Sequence, residues 1–372
     1  MLLNLLSVIT NSKAILLINS TKIMSLRCEI VSDSIDLDIP TSPVNFGVKE
    51  VEILSKENRE KMYSLYNLDM VFNGQKEEDP RLKTCTKLSN AKQDFTTSGR
   101  YAHSKNPKES FSWIVVADGH GPNTAIDIIK KIDWSTFVKM NSVEKMNEHI
   151  NQLMKQQLTS SSGSTLSIVK IYDDHFDCYY IGDSEIRIFM NKEVVFVSPA
   201  HNYTNALEME RIKTMKGVTV DKQERAMKVL DDGLITMYLG EEKYYRFSPL
   251  DRTNMTRTFG HDQRSLEFME HTRVERKQDS SCNYKVVVAS DGLWDITHEN
   301  DDKFLNHPEN DAEKIAEMAH KRWHQKWEFI PKYEVYLNTE NKEEQQALIK
   351  KDIEFPKHDG SIDDVAVATW IQ

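Results

Sequence analysis

Four short apolar runs follow one another between residues 164 and 198, and this succession constrains the fold more than any other feature. The polar links between them, such as DDHF and NKE, have the lengths of hairpin turns. Strands joined by such links are expected to pair as antiparallel neighbours. The runs are STLSIVKIY (164–172), FDCYYIG (176–182), EIRIFM (185–190) and EVVFVS (193–198).

Three further runs are almost continuously apolar, which predicts strands buried at the centre of a sheet. They are FSWIVVA (111–117), YKVVVAS (284–290) and DVAVATWI (364–371). Helical periodicity occupies separate segments, at 123–132, 143–158, 205–215, 311–323 and 341–351. A meander of strands with helices grouped elsewhere predicts an α+β fold, in which antiparallel sheet packs against helices.

Composition narrows the class of protein. The chain has 372 residues, of which 39% are hydrophobic and 28% charged, as in a soluble protein with a substantial core. A formal net charge of −10 argues against a surface for the phosphates of nucleic acid. The four cysteines are scattered and form no CxxC pair, which disfavours a zinc ribbon or a disulfide framework. We therefore expect a reducing compartment, the cytoplasm or the nucleus.

The first 26 residues are apolar but are repeatedly interrupted by polar side chains. Asn4, Asn11, Lys13 and Asn19 all fall within the stretch of about 20 apolar residues that a membrane-spanning helix needs. No membrane attachment is expected from this pattern. We interpret residues 1–45 as an N-terminal extension of unknown role and residues 46–372 as a single domain, monomeric by expectation.

Aspartates stand where the predicted central strands end. Asp118 follows the run 111–117, Asp291 follows 284–290, and Asp363 precedes the last run. Asp94 begins the apolar run that follows NAKQ. A single Asp before Gly is a common turn residue. Several carboxylates gathered at one sheet edge, however, repel one another unless cations lie among them. Oxygen ligands without a Cys or His cluster favour Mg²⁺ or Mn²⁺.

Five short motifs then resemble one known family, in its order and with roughly its spacing. They are DGHG (118–121), SGST (162–165), GDS (182–184), SDGLWD (290–295) and DD (363–364). Together they are similar to the PP2C-type, metal-dependent protein serine/threonine phosphatases. The resemblance implies a four-layer αββα sandwich, with two antiparallel sheets flanked by helices. It also implies phosphoprotein substrates bearing phosphoserine or phosphothreonine.

The resemblance further implies a site with two Mn²⁺ or Mg²⁺ ions. Asp118 would bridge the ions together with the water that attacks phosphorus, and Gly119 would contribute its backbone carbonyl. His120 would act as the general acid that protonates the leaving serine or threonine oxygen. The implied metal-binding residues are Asp94, Asp118, Gly119, Asp291 and Asp363.

The chain departs from the family pattern where the phosphate is held. Ser89 stands at the position of the expected phosphate-binding arginine. Lys87 and Lys92 lie nearby in sequence and are candidates for phosphate binding, although a lysine lacks the bidentate geometry of a guanidinium. Arg81 or Lys83, from upstream in the chain, could supply this cation instead, and ordinary solvated side chains are the alternative interpretation of the lysines.

Other departures leave a second hypothesis open. Gln93 replaces a carboxylate that acts through metal-bound water, and Ser160 replaces an aspartate that helps a third ion, although Asp295 is present. His261 stands where the family usually has aspartate. A pseudophosphatase, which binds partners without turnover, is therefore the alternative to an active enzyme. The retained aspartates favour the enzyme, and a metal-dependent nuclease is disfavoured by the net charge and the motif order.

Overall fold

Two antiparallel β-sheets form the centre of the described part of the chain. A computed structural model describes residues 74–89, 91–156, 161–226, 236–238, 240–248, 251–261, 268–353 and 362–372. The expected N-terminal extension, residues 1–45, and the domain boundary at residue 46 lie outside these ranges.

The first sheet has eight strands, and six of them follow the order β1-β3-β4-β6-β7-β15, while β5 pairs with both β4 and β14. Its strands are β1 (Gly74–Glu77), β3 (Asp94–His103), β4 (Phe111–His120), β5 (Gly163–Ser164), β6 (Leu166–Ile171), β7 (His175–Ile181), β14 (Phe259–Gly260) and β15 (Glu270–Glu275).

The second sheet has five strands in the order β2-β19-β16-β8-β9. They are β2 (Leu82–Lys87), β8 (Glu185–Met190), β9 (Glu193–Val197), β16 (Tyr284–Ala289) and β19 (Val365–Ile371). Two small three-stranded sheets contain β10 (Thr219–Ala226), β12 (Gly240–Ser248) and β13 (Asp251–Thr253), and β11 (Thr236–Tyr238), β17 (Trp327–Ile330) and β18 (Lys350–Ile353).

Helices pack on the outer faces of the two large sheets. The five segments predicted as helical from periodicity are helical, although the last one ends at Ala347 and residues 350–351 belong to a strand. Four of the helices begin after a Ser, Asn or Asp whose side chain accepts backbone N–H groups of the first turn. The helices are α1 (Thr124–Lys130), α2 (Trp134–Phe137), α3 (Val143–Lys155), α4 (Ala206–Lys213), α5 (Asp291–Trp294), α6 (Asp302–Leu305), α7 (Ala312–His324), α8 (Tyr333–Asn338) and α9 (Lys342–Ala347).

Three stacked apolar cores make the four layers of the sandwich. Because alternate residues of a strand face opposite sides of its sheet, Val115 of β4 packs with the helices α1 to α3, whereas Val116 packs against the second sheet. Val287 of β16 lies in the third core, with α5 to α7. The order is therefore helices, sheet, sheet, helices, which confirms the αββα fold expected from the resemblance.

The meander between residues 164 and 198 is divided between the two sheets. β6 pairs with β7, and β8 pairs with β9, as the hairpin-length links predicted. The link at residues 182–184 instead carries the chain from the first sheet to the second, so β7 and β8 are not paired. The expectation that all four strands are hydrogen-bonded neighbours was wrong at this link, because both strands bury apolar side chains in the core between the sheets.

Strand β4 continues through the DGHG motif instead of ending before Asp118. Gly119 and His120 pair with Ser164 and Gly163 of β5, which extends the ladder by two residues. Asp118 pairs with Asp94 at the start of β3. The acid and the histidine are thus held in sheet geometry at the edge of the sandwich.

In the described ranges, no helix combines the length and the apolar character needed to cross a bilayer.

Candidate active site

Four aspartates converge at one end of the sandwich. Asp94 and Asp118 lie directly opposite each other on β3 and β4. Asp291 follows β16 and begins α5, and Asp363 lies just before β19, the neighbour of β16. The carboxyl groups of Asp94 and Asp291 are each within hydrogen-bonding reach of that of Asp118, and Asp363 is within reach of Asp291. Two sheets thereby bring into contact residues up to 269 positions apart.

Burial and mutual repulsion act on these carboxyl groups together. Asp94 is 3% exposed and Asp118 is 8% exposed, while Asp291 and Asp363 are half-buried at the opening. Burial raises the pKa of all four groups, and the neighbouring carboxylates raise it further. Both effects disfavour the ionised form, so this cluster is costly to keep charged without a cation.

Hydroxyl groups hold the two most buried acids. The Ser290 hydroxyl donates to Asp94 Oδ2 at 2.6 Å, and Ser290 Oγ accepts the Ala366 N–H of β19. The backbone N–H of Asp118 donates to Thr165 Oγ1 at 2.9 Å, while Thr165 N–H donates to the Asp118 carbonyl at 2.8 Å. Ser290 and Thr165 belong to the SDGLWD and SGST motifs, so these motifs position the acids as well as supply them.

Asp364 has a role that the sequence analysis did not assign. It is 1% exposed, and its carboxylate accepts the backbone N–H groups of Ser89, Gln93 and Asp94. These bonds hold the backbone of Ser89, Gln93 and Asp94 against the carboxylate and place Asp94 at the start of β3. The adjacent acids of the DD motif therefore differ, since Asp363 faces the cluster and Asp364 binds backbone. In the sequence, the feature that could have indicated this role is the pair of adjacent aspartates before the apolar strand β19.

Gln93 fastens the corner that follows β4. Its side-chain amide donates to the Gly121 carbonyl and, at 2.9 Å, to Asn123 Oδ1. The backbone carbonyl of Gln93 accepts the Gly119 N–H at 3.1 Å. Gly121 has φ +73°, and a Cβ there would overlap the Ser161 carbonyl oxygen. A glycine is thus required for the corner, and Gln93 holds it in place.

His120 sits in a closely fitted cage beside the acids. Its Nδ1 is buried and has no hydrogen-bond partner among the described residues, while Nε2 lies 3.4 Å from Thr258 Oγ1. A Cβ on Gly163 would overlap the imidazole. The imidazole stacks on His261 with ring centroids 4.8 Å apart. Burial, and then the neighbouring His261, lower the pKa of His120 well below its ordinary value, so the ring is neutral near pH 7.

His261 occupies a backbone conformation that few side chains adopt. Its φ is +53°, its N–H donates to the Ser162 carbonyl at 3.0 Å, and the residue is 4% exposed. A non-glycine residue in this left-handed region is uncommon. The surrounding contacts therefore hold His261 against His120, a proximity that sequence spacing alone could not show.

The two candidate phosphate-binding lysines have different surroundings. Lys87 Nζ pairs with Glu317 of α7 at 3.0 Å, in the outer helical layer. Lys92 has φ +56°, and its carbonyl accepts the Nζ of Lys130 at 3.0 Å. Lys130, on α1, is thus a further cation near the corner that sequence analysis did not single out. Ser160 lies outside the described residues.

The oxygen-rich cluster fits the divalent ions that the resemblance implied. Asp94 Oδ1 and Asp291 Oδ1 are buried without a hydrogen-bond partner in the described part of the chain. Within the same residues, no three His, Cys, Asp or Glu side chains already have the grouping of an assembled metal site. Carboxylate and carbonyl donors without thiolate or imidazole suit Mg²⁺ and Mn²⁺. Asp94, Asp118, Asp291 and Asp363, with the Gly119 carbonyl, are the residues that would hold them.

Comparison with known proteins shows the family of the chain. The family model for protein phosphatase 2C matches residues 88–302, more than half of the chain. The chain therefore belongs to the protein phosphatase 2C family, which confirms the resemblance drawn from its motifs.

Individual relatives are distant. The curated protein named "Probable protein phosphatase 2C 52", from Oryza sativa subsp. japonica, is 23% identical over 234 residues, covering 59% of this chain and 43% of the relative. The chain thus spans less than half the length of this curated relative. Among solved structures, a serine-threonine phosphatase 2C from Toxoplasma gondii is 12% identical with a TM-score of 0.46, covering 78% of this chain and 94% of that one. A serine/threonine phosphatase from S. agalactiae is 16% identical with a TM-score of 0.45, covering 78% and 99%.

Proposed function

We propose that the protein is a metal-dependent protein serine/threonine phosphatase that hydrolyses phosphoserine and phosphothreonine in phosphoproteins. The observation that carries this proposal is the convergence of Asp94, Asp118, Asp291 and Asp363 at one end of the sandwich, with raised pKa values and unpartnered carboxyl oxygens. A structural role alone does not explain four mutually repelling acids. A bound pair of divalent cations does, because it supplies the missing positive charge.

The residues around the cluster divide the work of the reaction. When bound, Mn²⁺ or Mg²⁺ would lower the pKa of water and neutralise charge on the phosphoryl oxygens. Asp118 lies among the other three aspartates and would orient the attacking water relative to the phosphoryl group. His120, fixed against His261 and Gly163, would hold the proton for the leaving oxygen, because phosphate dianion beside the imidazole raises its pKa from the low value set by burial.

Phosphate binding rests on few cations in this chain. Ser89 cannot supply a guanidinium, and Lys87 is engaged by Glu317. Lys92 precedes Gln93, which binds the corner, and its carbonyl accepts Lys130 Nζ; we propose that these two lysines attract the phosphorylated substrate as point charges. This arrangement predicts weaker binding of substrate than a bidentate arginine would give.

The remaining parts of the proposal concern the setting of the reaction. We propose a monomer that acts in the cytoplasm or nucleus on phosphoproteins, with neither nucleic acid nor membrane as partner. The acidic net charge and the absence of paired CxxC cysteines in the sequence support it.

The decisive test is hydrolysis by the purified full chain of p-nitrophenyl phosphate and of a phosphothreonine peptide. We expect turnover with Mn²⁺, none with EDTA, and a loss of at least about 100-fold in Asp118→Ala. Asp127→Ala is the matched control, since this exposed aspartate of α1 follows the same corner without joining the cluster.

Two results would contradict the proposal. Peptide binding without Mn²⁺-dependent turnover would identify a pseudophosphatase. Turnover that survives Asp118→Ala at the level of Asp127→Ala would show that the reaction occurs elsewhere on the protein.

A further inference from the structure

A cavity lies at the end of the sandwich opposite to the acidic cluster. Its volume is about 100 Å³, and its lining includes Arg81, Arg100, Ser110, Tyr172, Arg276 and Trp370. Arg100 and Tyr172 come from the first sheet and the end of β6, whereas Arg81 and Trp370 flank the paired strands β2 and β19 of the second. We call this space the arginine cavity.

The arginine cavity is separate from the proposed active site. Ser112, which pairs with Arg100 across β3 and β4, is six residues before Asp118 on β4. Trp370 is likewise six residues beyond Asp364 on β19. At about 3.3 Å per residue, each strand separates the two ends by about 20 Å. A ligand in the cavity would therefore touch none of the four aspartates.

Aromatic rings hold two of the guanidinium groups in place. Arg81 and Arg276 both lie over the ring of Trp370, at 5.0 Å and 5.2 Å from its centroid. Arg276 is also 5.3 Å from the rings of Phe176 and Tyr284. Trp370 is fully buried, so it forms a rigid floor. Guanidinium groups stacked in this way are pre-ordered, and little conformational entropy is lost when they bind an anion.

Arginines outnumber carboxylates among the residues that line the cavity. Three arginines line it, with one lining carboxylate, Asp173. Buried Asp79 is close by, and its carboxylate accepts Arg81 Nε at 2.8 Å, Arg81 Nη2 at 2.9 Å and the Ser112 hydroxyl. Arg100 Nη1 is 4.0 Å from Asp79, and the charge of Asp174 also acts on Arg276. The guanidinium groups are thus the main charged groups of the lining itself.

Unpartnered donors point to an acceptor as the missing group. Trp370 Nε1 and Arg276 Nε are both buried and lack a hydrogen-bond partner among the described residues. Buried donors without an acceptor are rare in folded proteins, and each one destabilises the fold. Both belong to residues that line the cavity. An acceptor-rich ligand, with water filling the space around it, matches this surplus of donors.

We propose that the arginine cavity is a second binding site, specific for a compact oxyanion of the phosphate type. The space is several times that needed for one water molecule and suits a phosphate group with a few waters, but not a nucleotide. Arg100 is the cavity arginine best suited to a test. Its side chain is about one-third exposed, and its removal leaves the Asp79 carboxylate held by Arg81 and Ser112.

The test is equilibrium dialysis of the full chain with radiolabelled inorganic phosphate, in EDTA and in Mn²⁺. In EDTA the acidic cluster repels phosphate, and the Arg100 variant separates binding in the arginine cavity from binding elsewhere on the protein. We expect one site in EDTA and a tenfold or greater loss of affinity in Arg100→Gln. Lys145→Gln is the control, because it removes one positive charge from the exposed surface of α3.

The choice of variant protects the result from misfolding. Arg81 is left intact, since its removal would strand the buried Asp79 carboxylate. Arg100→Lys should recover part of the affinity, because it restores the charge without the fork. The melting temperature of each variant without phosphate shows that the fold is retained.

Three outcomes would overturn the proposal. They are the absence of phosphate binding in EDTA, equal affinities for Arg100→Gln and Lys145→Gln, and binding of acetate but not of phosphate. O-phosphoserine distinguishes free phosphate from a phosphorylated side chain as the source of the group. The readout is binding in EDTA, so it is independent of whether the protein hydrolyses phosphoproteins.

Discussion

Adjacent residues of the DD motif have opposite effects in this protein. Asp363 faces three other carboxyl groups and is repelled by their charge, whereas Asp364 accepts the backbone N–H groups of Ser89, Gln93 and Asp94. Both are aspartates with the same intrinsic chemistry. Their surroundings alone decide which one stabilises the fold and which one costs stability until a cation is bound.

This difference predicts effects of opposite sign on stability. In EDTA, Asp363→Asn removes a repelling charge and should raise the free energy of unfolding by about 1 kcal/mol. Asp364→Asn puts an amide N–H against backbone donors and should lower it by about 1–3 kcal/mol. Urea unfolding of the two variants measures both changes. Equal destabilisation by both substitutions would contradict these two roles.

Sequence could assign the acids of the cluster but not the residues that hold them. Asp94, Asp118, Asp291 and Asp363 stand at strand ends in readable motifs, and the structure brings all four together. Asp364, Ser290 and Thr165 act through hydrogen bonds between segments distant in sequence. No spacing rule predicts such bonds, because they depend on the packing of the two sheets.

At the scale of elements, the close approach of α5 to β19 depends on Gly292. A Cβ at this position would overlap the carbonyl oxygen of Asp364, at the entrance to β19. Gly292→Ala must therefore push α5 and β19 apart and separate Asp291 from Asp363. We expect a loss of stability of about 1–3 kcal/mol, as for overpacking in general, together with weaker Mn²⁺ binding.

The matched control for this prediction is Gly217→Ala. A Cβ at Gly217 would meet nothing within 4 Å, although the φ of +80° makes alanine mildly strained there. Calorimetric melting and Mn²⁺ titration should show a change in metal affinity for Gly292→Ala only. If both variants lose stability and their Mn²⁺ affinities are the same, backbone strain, and not contact with Asp364, explains the effect.

Helix α4 is tied to the first sheet through one buried carboxylate. Glu208 is 3% exposed and accepts Arg257 Nη2 at 2.6 Å and Arg211 Nη2 at 2.8 Å, while Arg257 Nη1 reaches Glu270 of β15 at 2.8 Å. Burial alone would raise the pKa of Glu208, but the hydrogen bonds from Arg257 and Arg211 outweigh it. They lower the pKa from its ordinary 4.5 to about 2.

The sign of the resulting pH dependence follows from this lowered pKa. The unfolded chain binds the Glu208 proton more readily, so the stabilisation is complete above pH 4.5 and is lost as pH falls towards 2. Glu208→Gln should cost about 2–3 kcal/mol at pH 7, and the difference from the parent should shrink towards pH 2. Urea midpoints between pH 2 and 7 measure it. A difference that is constant with pH would exclude the ionised carboxylate as its cause.

Elements were predictable where one local pattern dominated. The apolar runs of β16 and β19 and the capped helices α3 and α7 were predicted almost to their ends. Strand β3 was not, because its residues FTTSGRYAH are mostly polar or small. It forms because β4 pairs with it along eight residue pairs, and because Trp113 packs over Gly99. A strand of this kind is stabilised by pairing with its neighbours, so its own sequence does not predict it.

For the whole molecule, the sandwich separates two charged ends by the length of its central strands. One end gathers the four aspartates, and the other gathers three arginines beside Asp79 and Asp173. The net charge of −10 conceals this division. The layer order could be expected from motifs, but the position of the arginines at the end opposite to the aspartates emerges only when the strands are aligned.

A cation that binds only the folded chain must stabilise all of it. At a concentration 100 times its dissociation constant, Mn²⁺ should add about 2.7 kcal/mol to the free energy of unfolding and raise the melting temperature by a few degrees. EDTA should reverse the shift, and Asp118→Ala should abolish it while Asp127→Ala retains it. A melting temperature insensitive to Mn²⁺ in the parent chain would contradict the proposed metal site.

The direct pairing of Asp94 with Asp118 also affects the order in which the chain can fold. The two residues close the end of the β3–β4 ladder, and like charges placed opposite each other on neighbouring strands oppose that closure. The ladder should therefore form first at its Tyr101–Phe111 end, where two aromatic rings meet, and reach the aspartates last. The active end of the protein would then be the last part of this hairpin to form and the first to fray.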